Sequence, residues 1–119
     1  MRLPRKTSMT RRAEFSYVRT AGESRAGRFL VLSTLADPAL PHLKVAFITT
    51  RRVGKAHERN LIRRRLRAIT RAHASELINP LRFLVAIARY GAAKASYAEL
   101  ETEWLKQARR LKLIAPASP

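Results

Sequence analysis

Residues 51–71 hold nine Lys or Arg and one carboxylate, Glu58, yet their apolar residues recur at helical spacing. With Arg59 at zero and about 100° per residue, Arg63, Arg67 and Arg71 fall near 40°, 80° and 120°, with Asn60 near 100° and Arg64 near 140°. On the same wheel Ile62, Leu66 and Ile69 fall between about 280° and 340°. Such a helix cannot be buried all round. It must lie one-sided on another layer and hold a row of guanidiniums toward solvent. Leu61 and Arg65 sit on the flanks, and Arg65 falls toward the packed side.

The flanking patterns supply that layer. Residues 28–35 (RFLVLSTL) and 43–50 (LKVAFITT) read as strands, the second with Leu43, Val45, Phe47 and Thr49 on one face by alternation. The turn-forming cluster at 37–41 predicts that the two pair as an antiparallel hairpin. The basic helix is expected over 57–78, stopped by Asn79-Pro80. Residues 81–88 read as a further strand. Ser96 and Glu99 form a capping box for a last helix in which Tyr97, Leu100, Trp104, Ala108 and Leu111 recur, with Tyr97 and Trp104 read as core. A short helix over 11–20, capped by Thr10 and ended by Gly22, carries Phe15 and Val18 on one side. The expectation is a single compact α+β domain over residues 10–113, ordered helix, strand, strand, helix, strand, helix around a small central sheet. A basic arm at 1–9 precedes it and a tail at 114–119 follows.

Charge narrows the partner. The chain has 25 Lys plus Arg against 8 Asp plus Glu, a net charge of +17, and the basic set is 19 Arg to 6 Lys. A domain of 119 residues so charged attracts polyanions, and arginine forks match phosphate bidentately and stack on bases. A merely solvated helix face would mix signs, with Glu four residues before Lys or Arg. Here Arg repeats at every fourth position with no acid on that face, a repulsion that phosphates would relieve. No apolar run approaches the roughly 20 residues that span a bilayer, and residues 1–10 lack an apolar signal core, so a cytoplasmic protein with no membrane partner is expected.

Catalytic constellations are missing from the sequence. His57-Glu58 lacks a second histidine at 61, where Leu61 stands, and Gly54-Lys55 lacks the rest of a phosphate-binding loop. With no cysteine, and with His42, His57 and His73 isolated, no protein-held metal or cofactor is expected. Glu99, Glu101 and Glu103 crowd the start of the last helix and read as structural.

The wording of the basic segment is more specific than its charge. RRVGKAHERNLIRRRLRAI, residues 51–69, closely resembles the signature of the bacterial ribonuclease P protein component, in which a G-x-A-x-x-R-N-R-x-K-R pattern opens a basic helix. Gly54, Ala56, Arg59, Asn60, Arg63 and Arg64 match. The family's early aromatic helix resembles 12–22, its first strands 28–50, and its final strand and helix 81–111. The resemblance implies a fold of the ribosomal protein S5 domain 2-like type, with a βαβ crossover of the rare left-handed kind. It also implies an endoribonuclease that acts as a ribonucleoprotein. A large RNA subunit, with Mg2+ held through the RNA, cleaves precursor tRNA, and the protein has no catalytic side chain and no small-molecule substrate.

By the same resemblance, Arg51, Arg52, Lys55, Arg59, Asn60, Arg63, Arg64 and Arg67 contact the RNA subunit. A cleft edged by Phe15, Arg19, Arg28 and Ser33 takes the 5′ leader. Two departures stand out. Leu61 replaces the second Arg of the Arg-Asn-Arg triplet, with Arg63, Arg64 and Arg65 as substitutes. Arg19 and Ser33 occupy cleft positions where the family has aromatic rings, while Phe15 either lines the cleft or anchors the first helix. The alternative class is a non-enzymatic RNA-binding protein such as a ribosomal protein; a DNA-binding helical module fits less well, since no short helix leads by a tight turn into the basic one.

Overall fold

The computed structural model describes Met9 and residues 12–116. The expected cap Thr10, the arm before Met9 and the last residues of the tail lie outside them. Three helices, α1 (Arg12–Ala21), α2 (Ala56–His73) and α3 (Tyr97–Arg110), accompany four strands, β1 (Glu23–Ala26), β2 (Leu30–Ala36), β3 (Lys44–Ile48) and β4 (Arg82–Ala88). The sheet order is β1-β2-β4-β3.

The expected hairpin of the second and third strands does not form. β4 lies between them, antiparallel to β2 from Leu30↔Ala88 to Ala36↔Arg82 and parallel to β3 from Lys44↔Phe83 to Ile48↔Ile87. The reason is in β4 itself: RFLVAIA is buried at five of its seven positions, with Phe83 and Val85 on one face and Leu84, Ala86 and Ala88 on the other. A strand apolar on both faces belongs in the middle of a sheet, with both edges paired. The β3–α2–β4 unit is then a parallel crossover.

The short strand β1 was not foreseen. Its residues, ESRA, are exposed throughout and carry no alternation. It exists because the tight turn after Gly27 lays it along β2, Glu23↔Thr34 to Ala26↔Val31. That turn is clamped from α3. Buried Glu103 accepts hydrogen bonds from the Phe29 N–H at 2.8 and 3.0 Å and from the Leu30 N–H at 3.1 Å. A Cβ on Gly27 would stand 1.9 Å from the Glu103 carboxylate, so only glycine lets the turn approach α3 this closely.

One face of the sheet carries the larger core: Leu30, Leu32, Val45, Leu84 and Ala86 meet Ile62, Leu66 and Ile69 of α2 and Leu100, Trp104 and Ala108 of α3. The predicted apolar stripe of α2 is therefore the packed one, and Ser96 and Glu99 cap α3 reciprocally as expected. Trp104 is fully buried, but Tyr97 is 38% exposed, so only one of the two aromatics expected in the core is there. Tyr97 opens the helix, where the chain turns away from the sheet. The other face holds Val18 of α1, Ala46, Phe83, Val85 and Met9. Met9 is not part of a loose arm: it is buried and its N–H donates to Val45 O at 2.8 Å on the outer edge of β3.

α2 ends at His73, short of the expected Ile78. His73 leaves helical geometry, and a 3-10 turn (Ala74–Glu76) swings Leu77 into the core while the Ile78 N–H bonds Leu113 O. The His73 ring stacks on Trp104 at 5.7 Å; its Nδ1 meets the Glu76 carboxylate and its Nε2 the Glu101 carboxylate at 2.9 Å. This bridge between α2 and α3 ends the helix before Asn79-Pro80 can.

Two measurements check these ties. Glu103→Ala removes acceptors from two backbone N–H groups and is expected to lower unfolding free energy by about 2 to 3 kcal/mol; an unchanged urea midpoint would exclude the clamp. Burial alone would lower the His73 pKa, but hydrogen bonds and charge from Glu76 and Glu101 outweigh it and raise the net value. The raised pKa makes charged His73 stabilising below its unfolded pKa, near 6.5. That contribution is lost as pH rises through the folded value. Melting temperature should therefore fall from pH 6 toward 8, and the fall should shrink in His73→Asn; an identical fall in the variant would remove His73 from the linkage.

Candidate nucleic-acid interface

The basic face begins at the turn into α2. Arg51 and Arg52 lie exposed in a 3-10 turn (Arg51–Val53), followed by Gly54 and exposed Lys55. Glu58, the single acid of the segment, folds back to accept the Lys55 N–H at 2.9 Å. A Cβ on Gly54, where φ is +157°, would stand 2.9 Å from that carboxylate. The glycine of the motif therefore makes room for the helix cap, and the acid is spent on the backbone rather than on neutralising arginines.

From there the stripe runs as the wheel predicts, with differences in how each residue is held. Arg64 and Arg71 are exposed. Arg63 is half-buried, donating from Nη1 to Thr49 Oγ1 at 2.9 Å and from Nη2 to Asn60 Oδ1, which ties the stripe to the end of β3. Arg59 is also half-buried, and its Nε is shielded from solvent without a hydrogen-bond partner. The guanidinium of Arg67 lies over the Phe47 ring at 5.5 Å. Arg65, toward the packed side, escapes burial by donating to Ala95 O at 2.9 Å. It fastens α2 to the loop before α3.

Beside β3 the stripe meets a groove. α1 covers only part of its face of the sheet, and the uncovered part is lined by Phe15, Val18 and Arg19 of α1, by Ser24 and Ser33, and by Ile48, Val85 and Ile87, around a hollow of about 200 Å³. Phe15 and Ile48 also line a second hollow of about 210 Å³ with Met9, Phe47 and Arg67. Phe15 thus stands between the two hollows, so it borders the groove while its helix packs on the sheet through Val18. The groove and the arginine stripe are continuous through Arg67 and Phe47. Phe47 escaped the sequence reading because alternation gives a residue its face but cannot say that its strand is an outer one.

Phe15, Arg19 and Ser33 are therefore brought together, and Arg28 is not. Ser33 Oγ lies 2.7 Å from Ser24 Oγ on β1. The floor is aliphatic, so Phe15 supplies the ring of this hollow. Arg28 sits at the β1–β2 turn, its guanidinium over the Phe29 ring at 5.0 Å, and faces α3.

Among the described residues, no three of His, Asp and Glu are placed to hold a metal ion, and no helix is long and apolar enough to cross a membrane. The carboxylate-paired His73 is on the packed side of α2 and serves the fold.

The family model described as Ribonuclease P matches residues 3–112. The ribonuclease P protein component of onion yellows phytoplasma is 31% identical over 113 residues, covering 95% of this chain and 79% of the relative. That of Syntrophomonas wolfei is 31% identical over 113 residues, covering 95% and 93%. The solved Staphylococcus aureus RNase P protein superposes with a TM-score of 0.83 at 21% identity, over 92% of this chain and 98% of that one, which shows the shared fold. Since the matched span holds both the whole sheet and the Gly54-to-Arg64 motif on its helix, the chain belongs to the ribonuclease P protein family.

Proposed function

We propose that this chain is the protein subunit of ribonuclease P and that it holds two RNAs at once, the catalytic RNA on the α2 stripe and the 5′ leader of precursor tRNA in the groove beside α1. The observation that carries the reading is the continuity of the two surfaces: Arg67 caps Phe47 on one side and borders the Phe15 hollow on the other. Two polyanions meeting there repel each other, and a guanidinium row between them offsets that repulsion. Arg51, Arg52, Lys55, Arg59, Asn60, Arg63, Arg64 and Arg67 form the catalytic-RNA surface. Phe15, Arg19 and Ser33 take the leader, with Ile48, Val85 and Ile87 as an apolar floor against which an unpaired base can lie. Arg28 belongs to another surface.

Cleavage is hydrolysis of one phosphodiester, giving the mature tRNA 5′ end. Divalent metal held through the RNA would supply Lewis-acid chemistry, and no protein side chain is assigned to hold it. The protein's part is to orient the leader and lower the electrostatic cost of assembly.

Reconstitution tests this. Added to its cognate catalytic RNA at low magnesium, the protein should stimulate precursor cleavage over RNA alone; no stimulation would overturn the assignment. Arg64→Ala and Arg67→Ala should each weaken catalytic-RNA binding and reduce the slope of log affinity against log salt by about 0.7 to 0.9 per phosphate contact. Unchanged slopes in both would mean a merely solvated face. Phe15→Ala should weaken binding of precursor about fivefold or more while leaving mature tRNA unaffected, with the circular dichroism spectrum intact; equal losses for both would take Phe15 out of the cleft.

A further inference from the structure

A hollow of about 550 Å³ that the proposed function leaves unused lies between the β1–β2 turn and α3. That is within the roughly 300 to 1,000 Å³ of small-ligand sites. Phe29 forms its apolar wall, with the Arg28 guanidinium stacked on that ring at 5.0 Å. Across from it, successive turns of α3 present Thr102, Lys106, Gln107 and Arg110. Gln107 is 1% exposed and its Oε1 accepts from Arg110 Nη1 at 3.0 Å, which holds a rim guanidinium in place. The two acids of the hollow are committed elsewhere: Glu103 to the Phe29 and Leu30 N–H groups, Glu99 to Ser96. What remains toward solvent is a rim of three cations, Arg28, Lys106 and Arg110, against the one exposed carboxylate of Glu99, over an apolar wall.

We propose that this hollow binds one unpaired nucleotide, its base against the Arg28 guanidinium that lies over Phe29 and its phosphate on Lys106 and Arg110. An apolar wall alone would suit a neutral ligand, and a cationic rim alone would suit inorganic phosphate. The combination selects a planar ring bearing a phosphate, and stacking against an aromatic or a guanidinium plane tolerates any base. The Thr102 hydroxyl is placed to meet polar edges of the base. The nucleotide comes either from an RNA strand or from solution; the first source rests on the ribonuclease P reading, and the site chemistry does not.

The test is nuclear magnetic resonance titration of the isolated chain with adenosine and cytidine monophosphates. Saturable shifts are expected at the Phe29 and Thr102 amides. Inorganic phosphate and the bare nucleosides should bind at least tenfold more weakly. Thr102→Trp, at an exposed helix position, fills the hollow and should abolish the shifts. If that variant melts early, the double variant Lys106→Ala, Arg110→Ala should weaken binding at least tenfold instead. Absence of saturable shifts, equal binding by phosphate alone, or undiminished binding in both variants would overturn the site. A second arm separates the sources. Weaker binding of catalytic RNA or precursor by Thr102→Trp assigns the nucleotide to RNA, whereas loss of monophosphate binding with RNA affinity unchanged assigns it to free nucleotide. The Arg64 and Arg67 variants report on the α2 stripe independently, so either surface can fail without the other.

Discussion

Strand β4 needs cover on every side, and most of the architecture follows from meeting that need. Its two faces are both apolar, so helices must lie above and below; its two edges carry unpaired backbone groups, so a strand must lie on each. β2 takes one edge and β3 the other. With β3 parallel to β4, the chain must cross the sheet between them, and α2 is that crossing. The basic helix is thereby seated on the sheet, with Arg63 reaching Thr49 and Arg67 lying on Phe47. Had β2 and β3 paired as a hairpin, β4 would have had an apolar face or edge in water, and the stripe would not have met the groove.

The positive surface is sharpened by how the few acids are used. Glu58 caps α2, Glu99 caps α3, Glu76 and Glu101 hold His73, Glu103 holds the β1–β2 turn, and Asp37 accepts the Ala39 N–H. Each of these carboxylates satisfies an internal partner, so none is free to screen the arginines of the stripe. The fold therefore turns an excess of +17 into a directed field, because six of its eight carboxylates are tied to joints of the structure away from the stripe's outer face. Arg65 and Arg63 show the complementary economy on the basic side, each bonding an oxygen of the protein while their neighbours remain outward.

The groove departs from the aromatic lining that the family resemblance implies. Ser33 is bonded to Ser24, Arg19 stands at the wall, and the floor is made of Val85, Ile87 and Ile48. An aliphatic floor offers contact area without the orientation preference of stacked rings. In the proposed role, leader contact on such a surface rests on Phe15, on the flanking arginines, and on the adjoining Phe47.

Local pattern was enough for whatever depends on neighbours along the chain. The packed and basic faces of α2 follow from 3.6-residue periodicity, the start of α3 from the Ser96–Glu99 box, the strand character of residues 82–88 from their composition, and the family from the motif between Gly54 and Arg64. Contacts between distant segments needed the tertiary structure. ESRA becomes a strand only because β2 offers it an edge; α2 stops at His73 only because Glu101 and Trp104 wait on α3. Arg28 lies away from the groove beside α1 because the Glu103 clamp turns its loop toward α3. Periodicity assigns a residue its face, but strand order assigns that face its neighbours, and burying β4 on both faces and both edges is what decided the order.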